Sequence, residues 1–309
     1  MRYIVIGAAG FIGTNLSIKL AKNENASIRI VDKSMDYICS DFFNKPNVEI
    51  CISDIDKYTD YNKLIKNQDV VFHLVSTTVP ATSNQSISEE IIDNTEITLR
   101  ILEACVQNHV KKIVFLSSGG TVYGRIDNVP VLEETSQNPI CSYGTHKLIS
   151  EKIIQLYGNI YGLDYRIIRL SNPYGPYQRP TGKQGVIASF IYNALRNENL
   201  IIYGDGTVIR DYIYIEDAID GIINITNSDC DCSIVNLGTG VGTSLNEIVN
   251  IIEGVIGRRL KVTHLSNRSV DVPVSVLDIK SYAKIKPAHQ MLSICEGIKK
   301  TVKYYQSIG

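Results

Sequence analysis

The sequence has almost no excess of charge of either sign. Its 309 residues include 31 lysines and arginines against 32 aspartates and glutamates, which leaves a formal net charge of −1. Proteins that bind nucleic acid usually carry a basic excess, so no nucleic-acid partner is expected. No run of about 18 apolar residues is present for a membrane span, and the apolar run after Met1 is too short for a signal peptide. We therefore expect a cytoplasmic protein with no membrane partner.

Paired metal ligands and paired cysteines are also missing. The seven cysteines are an odd number and are scattered along the chain. Cys230 and Cys232 form the only close pair, and no second pair stands at zinc-ligand spacing. The five histidines show no paired spacing either. We expect neither a disulfide framework nor a metal site.

The first half of the chain alternates β-branched runs with amphipathic stretches. The predicted strands are residues 2–6, 27–31, 48–52, 70–74, 112–116 and 165–170. The predicted helices are residues 11–22, 61–67, 87–108 and 143–161. Near-continuous isoleucine and valine content is typical of parallel strands buried on both faces. The pattern predicts an α/β fold with a doubly wound, Rossmann-like parallel sheet.

The character of the chain changes at Ser171–Pro176, where two prolines and a glycine end the last of these strands. Shorter elements follow, with a strand predicted at 211–213 and helices at 185–196, 216–226, 245–256 and 294–305. We predict a nucleotide-binding domain of residues 1–171, with contributions from about 212–237. A smaller α+β part, residues 172–309, would bind substrate near the carboxyl ends of the strands.

Three glycines follow the first strand at the spacing Gly7-xx-Gly10-xx-Gly13. Gly7 would permit a tight turn, Gly10 a close approach to a pyrophosphate, and Gly13 close packing of helix on strand. The backbone N–H groups of Phe11 and Ile12 would open the helix and face the phosphates. A strand–turn–helix corner without a ligand can carry the same glycines.

Acidic residues follow the second and third strands. Asp32 can accept both ribose hydroxyls of an adenosine, and it would repel a 2′-phosphate. This favours NAD over NADP, although the neighbouring Lys33 weakens the argument. Asp54 and Ile55 follow the third strand and could meet the adenine, or Asp54 could be a helix cap.

The long helix predicted at 143–161 carries Tyr143 and Lys147, which are four residues apart and share one face. A free tyrosine has a pKa near 10, and a nearby ammonium group lowers it, so the pair can deprotonate an alcohol. Ser117 and Ser118 end the fifth strand, where a hydroxyl can bond a substrate oxygen. The same serines would also suit a polar turn.

Taken together, these motifs resemble the extended short-chain dehydrogenases/reductases, in the branch of nucleotide-sugar epimerases, dehydratases and reductases. The matching positions run from residue 1 to about 280. Besides the motifs already named, the matches are Val71–Leu74, Asn94, Val122–Gly124, residues 169–176, Gly204–Gly206, Arg210–Ile213, Arg268 and Asp271.

The resemblance implies an NAD cofactor, a UDP-hexose substrate, and roles for individual residues. Tyr143 would be the acid and base, and Lys147 its modulator and a ribose ligand. The implied cofactor site adds four residues to the glycine loop and the acidic positions: Leu74, Val75, Asn94 and Ser117. The implied substrate site comprises Ser118, Tyr143, Asn172, Val186, Ile201, Tyr203, Arg210, Arg268, Asp271 and Ser275. Among these, Asn172 and the two arginines would hold the diphosphate, Asp271 the nucleoside ribose, and Ile201 and Tyr203 the base.

The chain departs from the family pattern at the catalytic hydroxyl. Similar 4-epimerases carry a serine or threonine three residues before the valine of Val-Tyr-Gly, and this chain has Gly119 there. Ser118, our first candidate, or Thr121 must supply the hydroxyl, or a one-residue shift in the turn must do so.

The same segment bears on the type of reaction. Similar dehydratases and decarboxylases carry carboxylates between residues 119 and 121, where this chain has none, so elimination lacks its acid and base. The leading hypothesis is a UDP-hexose 4-epimerase. The alternatives are an NAD(P)H-dependent reductase of a nucleotide-linked 4-keto-6-deoxysugar and a non-catalytic NAD-binding regulator.

The resemblance also bears on substrate width. In family members the fourth residue after the aspartate of Arg-x-x-Asp lines the hexose pocket, and here it is Ser275. A residue this small leaves room for an acetamido group, unless Tyr174 or Tyr177 refills the space. We expect UDP-GlcNAc and UDP-GalNAc to be accepted beside UDP-Glc and UDP-Gal.

The family resemblance further suggests a homodimer that pairs through two helices of each subunit. Ile149, Ile153, Leu156 and Ile160 form an apolar stripe on one of the predicted helices. The stripe suits either a subunit interface or the core of the subunit, and Ile154 lies at a different angle on the same helix.

Overall fold

The computed structural model describes residues 1–35, 45–78, 83–126, 128–181, 185–266, 272–287 and 290–308. The chain divides into two compact units, and each is assembled from separate segments. The first unit contains Met1–Ser117, Ser142–Ile168 and Asp229–Ile234. The second contains Ser118–Cys141, Arg169–Ser228 and Val235–Gly309.

One large sheet carries most of the predicted strands. Its strands are β1 (Arg2–Ile6), β2 (Ser27–Asp32), β3 (Val48–Ile52), β4 (Val70–His73), β5 (Lys112–Ser118), β6 (Asp164–Leu170) and β10 (Ile234–Leu237). Their order is β10-β6-β5-β4-β1-β2-β3. β1 pairs in parallel with both β2 and β4, so the strand order reverses there. Ligands bind at such switch points, and the doubly wound α/β prediction is confirmed.

Four helices of the first unit follow these strands. They are α1 (Phe11–Leu20), α2 (Tyr61–Ile65), α3 (Ile87–Gln107) and α4 (Ser142–Tyr161). Their apolar faces pack on the sheet, with Ile97 and Ile101 of α3 and Ile154 of α4 buried against Ile4 and Phe115. Within the described ranges, no helix has both the length and the apolar character needed to cross a bilayer.

The second unit is built around β9. Its remaining strands are β7 (Asn172–Tyr174), β8 (Leu200–Tyr203), β9 (Ile209–Tyr214), β11 (Gly242–Ser244), β12 (Val262–Leu265) and β13 (Val274–Ser275). β9 pairs in parallel with β7 and β13 and antiparallel with β11, while β8 pairs with β12. Its helices are α5 (Val186–Leu195), α6 (Ile215–Asn227), α7 (Leu245–Ile256), α8 (Lys280–Ile285) and α9 (Ile294–Ser307).

Residues 118–141 lie in the second unit, which differs from the boundary expected at 171. The backbone explains the difference, because the Val131 N–H donates to the Val276 carbonyl over 2.9 Å. Val122 and Tyr123 are also buried in a small cluster with Val131 and Leu277. These partners lie far along the chain, so the local sequence pattern gives no sign of them.

Candidate active site

The glycine loop after β1 has the geometry of a phosphate-binding turn. Gly7 has a φ of +94°, and a side chain there would sit 3.0 Å from the backbone nitrogen of Val75. A Cβ on Gly13 would lie 2.2 Å from the Gly7 carbonyl oxygen, so both positions require glycine. Helix α1 begins at Phe11, and Gly10 provides no side-chain cap. The N–H groups of its first turn are therefore available to an anion.

Asp32 at the end of β2 is tied to this loop. Its Oδ2 accepts the Ala9 N–H over 2.9 Å, and its Oδ1 accepts the Lys33 N–H over 2.8 Å. Each oxygen keeps a further lone pair for a ribose hydroxyl. The loop, the open helix end and the placed carboxylate fit a dinucleotide.

The other predicted cofactor residues surround the ends of neighbouring strands. Leu74 and Val75 follow β4, and both adjoin Gly7 in the turn described above. Ile55 packs partly buried against the core, whereas Asp54 is exposed. Asp54 does not cap α2, because Asp60 caps that helix by accepting the Lys63 N–H.

Asn94 of α3 holds the loop that follows β4. Its Nδ2 donates to Thr77 Oγ1 over 2.7 Å, and its Oδ1 accepts the Thr77 N–H over 3.0 Å. The side chain is buried and bonded on both ends. Asn94 therefore fixes the backbone of the loop after β4, which adjoins the glycine loop.

Tyr143 and Lys147 lie on the first two turns of α4. The Lys147 Nζ is 5.8 Å from the centre of the Tyr143 ring and 4.7 Å from that of Phe115. It donates to the Leu116 carbonyl over 2.8 Å, and the side chain is only 3% exposed. Burial lowers the pKa of Lys147 to about 8, against a rise caused by the Glu151 charge. An ammonium so near the tyrosine ring favours the tyrosinate.

The hydroxyl of Ser117, predicted to contact the cofactor, is engaged elsewhere. Ser117 Oγ donates to the carboxylate of Glu151, and both side chains are buried. Glu151 was missed by the sequence analysis. An acidic residue on a long helix usually faces solvent, and the one available signal was its position, four residues after Lys147.

A second buried carboxylate, also missed, anchors the start of α4. Glu90 of α3 accepts hydrogen bonds from Thr78 and Ser142, the residue before Tyr143. His146 Nε2 lies 3.8 Å from the Glu90 carboxylate. Desolvation and the Lys147 charge lower the pKa of His146 to about 3, so this histidine is neutral and forms no ion pair. The contacts fix the helix turn that carries Tyr143.

The candidate hydroxyls lie at the last residue of β5 and just after it, in the second unit. The Ser118 carbonyl accepts the Thr121 and Val122 N–H groups. A side chain on Gly119 would place its Cβ 2.5 Å from Leu277 Cδ1 and 3.1 Å from the Arg169 carbonyl. Leu277 fills the space that the usual family hydroxyl would need. Thr121 Oγ1 is buried and has no hydrogen-bond partner among the residues described.

The predicted diphosphate ligands that the structure describes lie on β7 and β9. Asn172 Nδ2 donates to the Asp211 carbonyl over 3.0 Å, and Arg210 Nη1 donates to the Ile209 carbonyl over 2.9 Å. Asp211 is fully buried and accepts the Thr239 and Gly240 N–H groups. Arg268 and Asp271 lie outside the described residues.

The remaining substrate candidates also belong to the second unit. On β8, Ile201 and Tyr203 share the face opposite the buried Leu200 and Ile202. Val186 opens α5. Ser275 of β13 is 4% exposed and pairs in register with Arg210.

The glycine turn, the Asp32 carboxylate and the Tyr143–Lys147 pair are typical of enzymes that bind a dinucleotide and transfer an alcohol proton. Residues 3–238 match the NAD dependent epimerase/dehydratase family. A Methanocaldococcus jannaschii protein provisionally named a UDP-glucose 4-epimerase is 36% identical over 310 residues, 98% of each chain.

Solved structures agree with this match. The UDP-glucose 4-epimerase of Thermotoga maritima, crystallised with UDP-glucose, is 31% identical with a TM-score of 0.91, over 100% of this chain and 99% of that one. The UDP-N-acetylglucosamine 4-epimerase of Methanobrevibacter ruminantium, in complex with UDP-N-acetylmuramic acid, is 29% identical with a TM-score of 0.90 and the same coverage.

The chain therefore belongs to the NAD-dependent epimerase/dehydratase family of extended short-chain dehydrogenases/reductases. The family resemblance and the NAD cofactor inferred from the sequence are confirmed. The named relatives are 4-epimerases, which are isomerases, in agreement with the expected enzyme class.

Proposed function

We propose that the protein interconverts UDP-hexoses that differ in configuration at C4. The observation that carries this proposal is the Tyr143–Lys147 pair on α4, in the same unit as the glycine turn, combined with a segment after β5 that contains no carboxylate. Dehydration and decarboxylation would require an acid or base in that segment. Epimerisation needs a base for the C4 hydroxyl proton while the C4 hydride leaves, rotation of the 4-keto sugar, and return of the hydride to the opposite face of C4 together with the proton.

In this proposal Tyr143 accepts the proton of the C4 hydroxyl and returns it at the end of the cycle. Lys147 stays protonated, held by the Leu116 carbonyl, and favours the tyrosinate. When bound there, NAD⁺ would supply the hydride acceptor and the hydride donor for the C4 carbon. The glycine turn, the first turn of α1 and Asp32 hold it, and Asp32 favours NAD over NADP.

The second unit supplies the sugar-nucleotide ligands. Asn172 and Arg210, and with them Arg268, bind the diphosphate, for which guanidinium groups are suited. Asp271 binds the nucleoside ribose, and Ile201, Tyr203 and Val186 border the base.

The catalytic hydroxyl comes from Thr121 or Ser118. The buried, unpartnered Thr121 Oγ1 supports Thr121 over our first candidate, because a buried hydroxyl without a partner is costly and a substrate oxygen would satisfy it.

The packing of two tyrosines supports a broad substrate range. Tyr174 is 2% exposed, and its hydroxyl lies 3.4 Å from the Ile294 carbonyl. The Tyr177 ring packs on Tyr304 with 5.4 Å between ring centres. Both rings are thus held by contacts with α9 and do not fill the space beside Ser275. The small side chain of Ser275 would therefore determine how large a sugar the pocket accepts. We propose that N-acetylated hexoses are accepted alongside plain ones.

Two incubations test this function. The purified protein, without added cofactor, should convert UDP-galactose to UDP-glucose and UDP-GlcNAc to UDP-GalNAc, measured by chromatography of the sugar nucleotides. A reductase or a non-catalytic regulator would give no UDP-glucose. Ser275→Tyr should selectively lose kcat/KM for the acetylated pair, because a fixed ring overlaps the acetamido group. If the ratio of kcat/KM for acetylated and plain sugars is unchanged, a residue other than Ser275 determines the substrate range.

We also propose a homodimer through α3 and α4. Ile154 is core, but Leu156 and Ile160 are 51% and 61% exposed, and Ile92 of α3 is 60% exposed. Exposed aliphatic side chains on adjacent helices suit a partner surface. Ile160→Glu should give monomers in sedimentation, and an unaltered dimer would refute this placement. The cytoplasmic location stays a prediction.

A further inference from the structure

Glu151 is a fully buried carboxylate on α4, one helical turn after Lys147. Burying a charge is costly unless it is paired and hydrogen-bonded. Here the Ser117 hydroxyl donates to Glu151 Oε1, and the Lys147 ammonium lies on the same helix face. Nothing in the proton transfer by Tyr143 requires this carboxylate, so its burial calls for a separate reason.

Strand β5 links the two charges. The Leu116 carbonyl accepts from Lys147 Nζ over 2.8 Å, and the next residue, Ser117, donates to Glu151. Two consecutive residues of one strand therefore hold two charged side chains of one helix. These hydrogen bonds fix the position of the Lys147 ammonium, and they hold the negatively charged Glu151 carboxylate one helical turn after it.

The other titratable groups around Lys147 do not supply a counter-charge. Desolvation and the Lys147 charge lower the pKa values of His73 on β4 and His146 on α4 to about 3, so both are neutral. Glu90 of α3 accepts hydrogen bonds from Thr78 and Ser142, and its charge is not among the causes that shift the pKa of Lys147. Among the described residues, Glu151 is the carboxylate whose charge raises the pKa of Lys147 against its burial.

We propose that Glu151 is a positioning residue for the epimerisation proposed above, and that with Ser117 it keeps Lys147 protonated and aligned beneath Tyr143. Glu151 does not touch the reacting atoms in this scheme. It acts through Lys147, whose charge in turn favours the tyrosinate. The inference rests on the assignment of Tyr143 and Lys147 as the proton-transfer pair.

Glu151→Gln tests the proposal, since it removes the charge and keeps the size and an acceptor for Ser117. Without the carboxylate, the pKa of Lys147 should fall below about 8, because the Glu151 charge raises it. The variant should then lose turnover relative to wild type by about fivefold at pH 8 and by little at pH 6. Glu151→Asp, which keeps the charge, should restore the wild-type pH profile.

Glu90→Gln is the matched control, because it neutralises another buried carboxylate of the same unit. It can lower turnover by loosening the start of α4, but it should not move the alkaline limb of the pH profile. A uniform loss in Glu151→Gln at every pH, as in a merely structural role, would overturn the proposal.

A second measurement does not depend on turnover. The purified protein, labelled with 13Cε-lysine, can be titrated by NMR, with the Lys147 signal assigned through Lys147→Arg. The Lys147 midpoint should move to lower pH in Glu151→Gln, and an unchanged midpoint would refute the role of Glu151. This holds even for a protein that epimerises no UDP-hexose, so failure of the proposed function would be recognised separately.

Should the glutamine variant fail to fold, Glu151→Leu combined with Ser117→Ala removes the charge and its donor together, leaving no unpaired buried group. The same downward shift of the Lys147 midpoint is expected there, and its absence would overturn the proposal.

Discussion

The closeness of Leu277 to Gly119 allows a quantitative test of why this chain has a glycine where similar epimerases carry a serine or threonine. A Cβ on residue 119 would lie 2.5 Å from Leu277 Cδ1, whereas carbon atoms at optimal separation are about 3.5–4.0 Å apart. Leu277 is 1% exposed and must be displaced. Overpacking of this kind costs about 1–3 kcal/mol, which is the expected loss of unfolding free energy in Gly119→Ala.

A double-mutant cycle isolates this contact. Leu277→Ala alone should cost about 2–5 kcal/mol because it leaves a cavity. In the double variant the new methyl group enters the space that Leu277 vacates, so stability should exceed the additive expectation by about 0.5–3 kcal/mol. Urea unfolding monitored by circular dichroism measures all four proteins.

Gly120→Ala is the matched control for the cycle. A Cβ at that position is 3.9 Å from its nearest atom, Asn172 Oδ1, which is an ordinary contact. Its stability should stay within about 0.5 kcal/mol of wild type. The losses of unfolding free energy in Gly119→Ala and Leu277→Ala could instead be additive within about 0.5 kcal/mol. In that case Leu277 is not the reason that residue 119 is a glycine, and the explanation for the absent hydroxyl fails.

Three further predictions concern the site. Tyr143→Phe should lower turnover by roughly 10² or more while the thermal midpoint is retained, and near-normal rates would remove Tyr143 from its assigned role. Thr121→Ala should cost more turnover than Ser118→Ala, because of these two hydroxyls it is that of Thr121 that is buried without a partner among the described residues; the reverse order would return the role to Ser118. The pKa values of His73 and His146 are lowered from 6.5 to about 3, so the unfolded chain takes up protons first on acidification. The free energy of unfolding should therefore fall between about pH 6.5 and pH 3. His146→Gln should reduce that fall in urea midpoints, and an equal fall in both proteins would contradict the assignment.

The parallel strands of the first unit could be predicted because each is a nearly continuous apolar run. β1 and β3 have the expected bounds, and β5 extends only two residues further, through Ser117 and Ser118. In the second unit, the strand predicted at 211–213 lies within β9, but the other, shorter strands could not be predicted in this way. β13 contains only Val274–Ser275, and its pairing with β9, rather than its own sequence, makes it a strand.

The site shows the same division between local and distant information. The spacing of Gly7 and Gly13, and of Tyr143 and Lys147, is a property of neighbouring residues and could be recognised directly. Glu151 could not be found this way, because its burial depends on β5, which is more than thirty residues earlier in the chain. The hydrogen bond from Ser117 to Glu151 could not be predicted for the same reason.

Asp211 has a consequence for how the second unit folds. Its carboxylate collects N–H groups from positions 28, 29 and 66 residues further along the chain, at Thr239, Gly240 and Leu277. Contacts between residues so distant in sequence form slowly, because a long loop must close before they are made. During synthesis, a chain that has not yet reached Leu277 lacks one of the N–H groups that donate to the Asp211 carboxylate. We expect this unit to reach its native state only after Leu277 has left the ribosome.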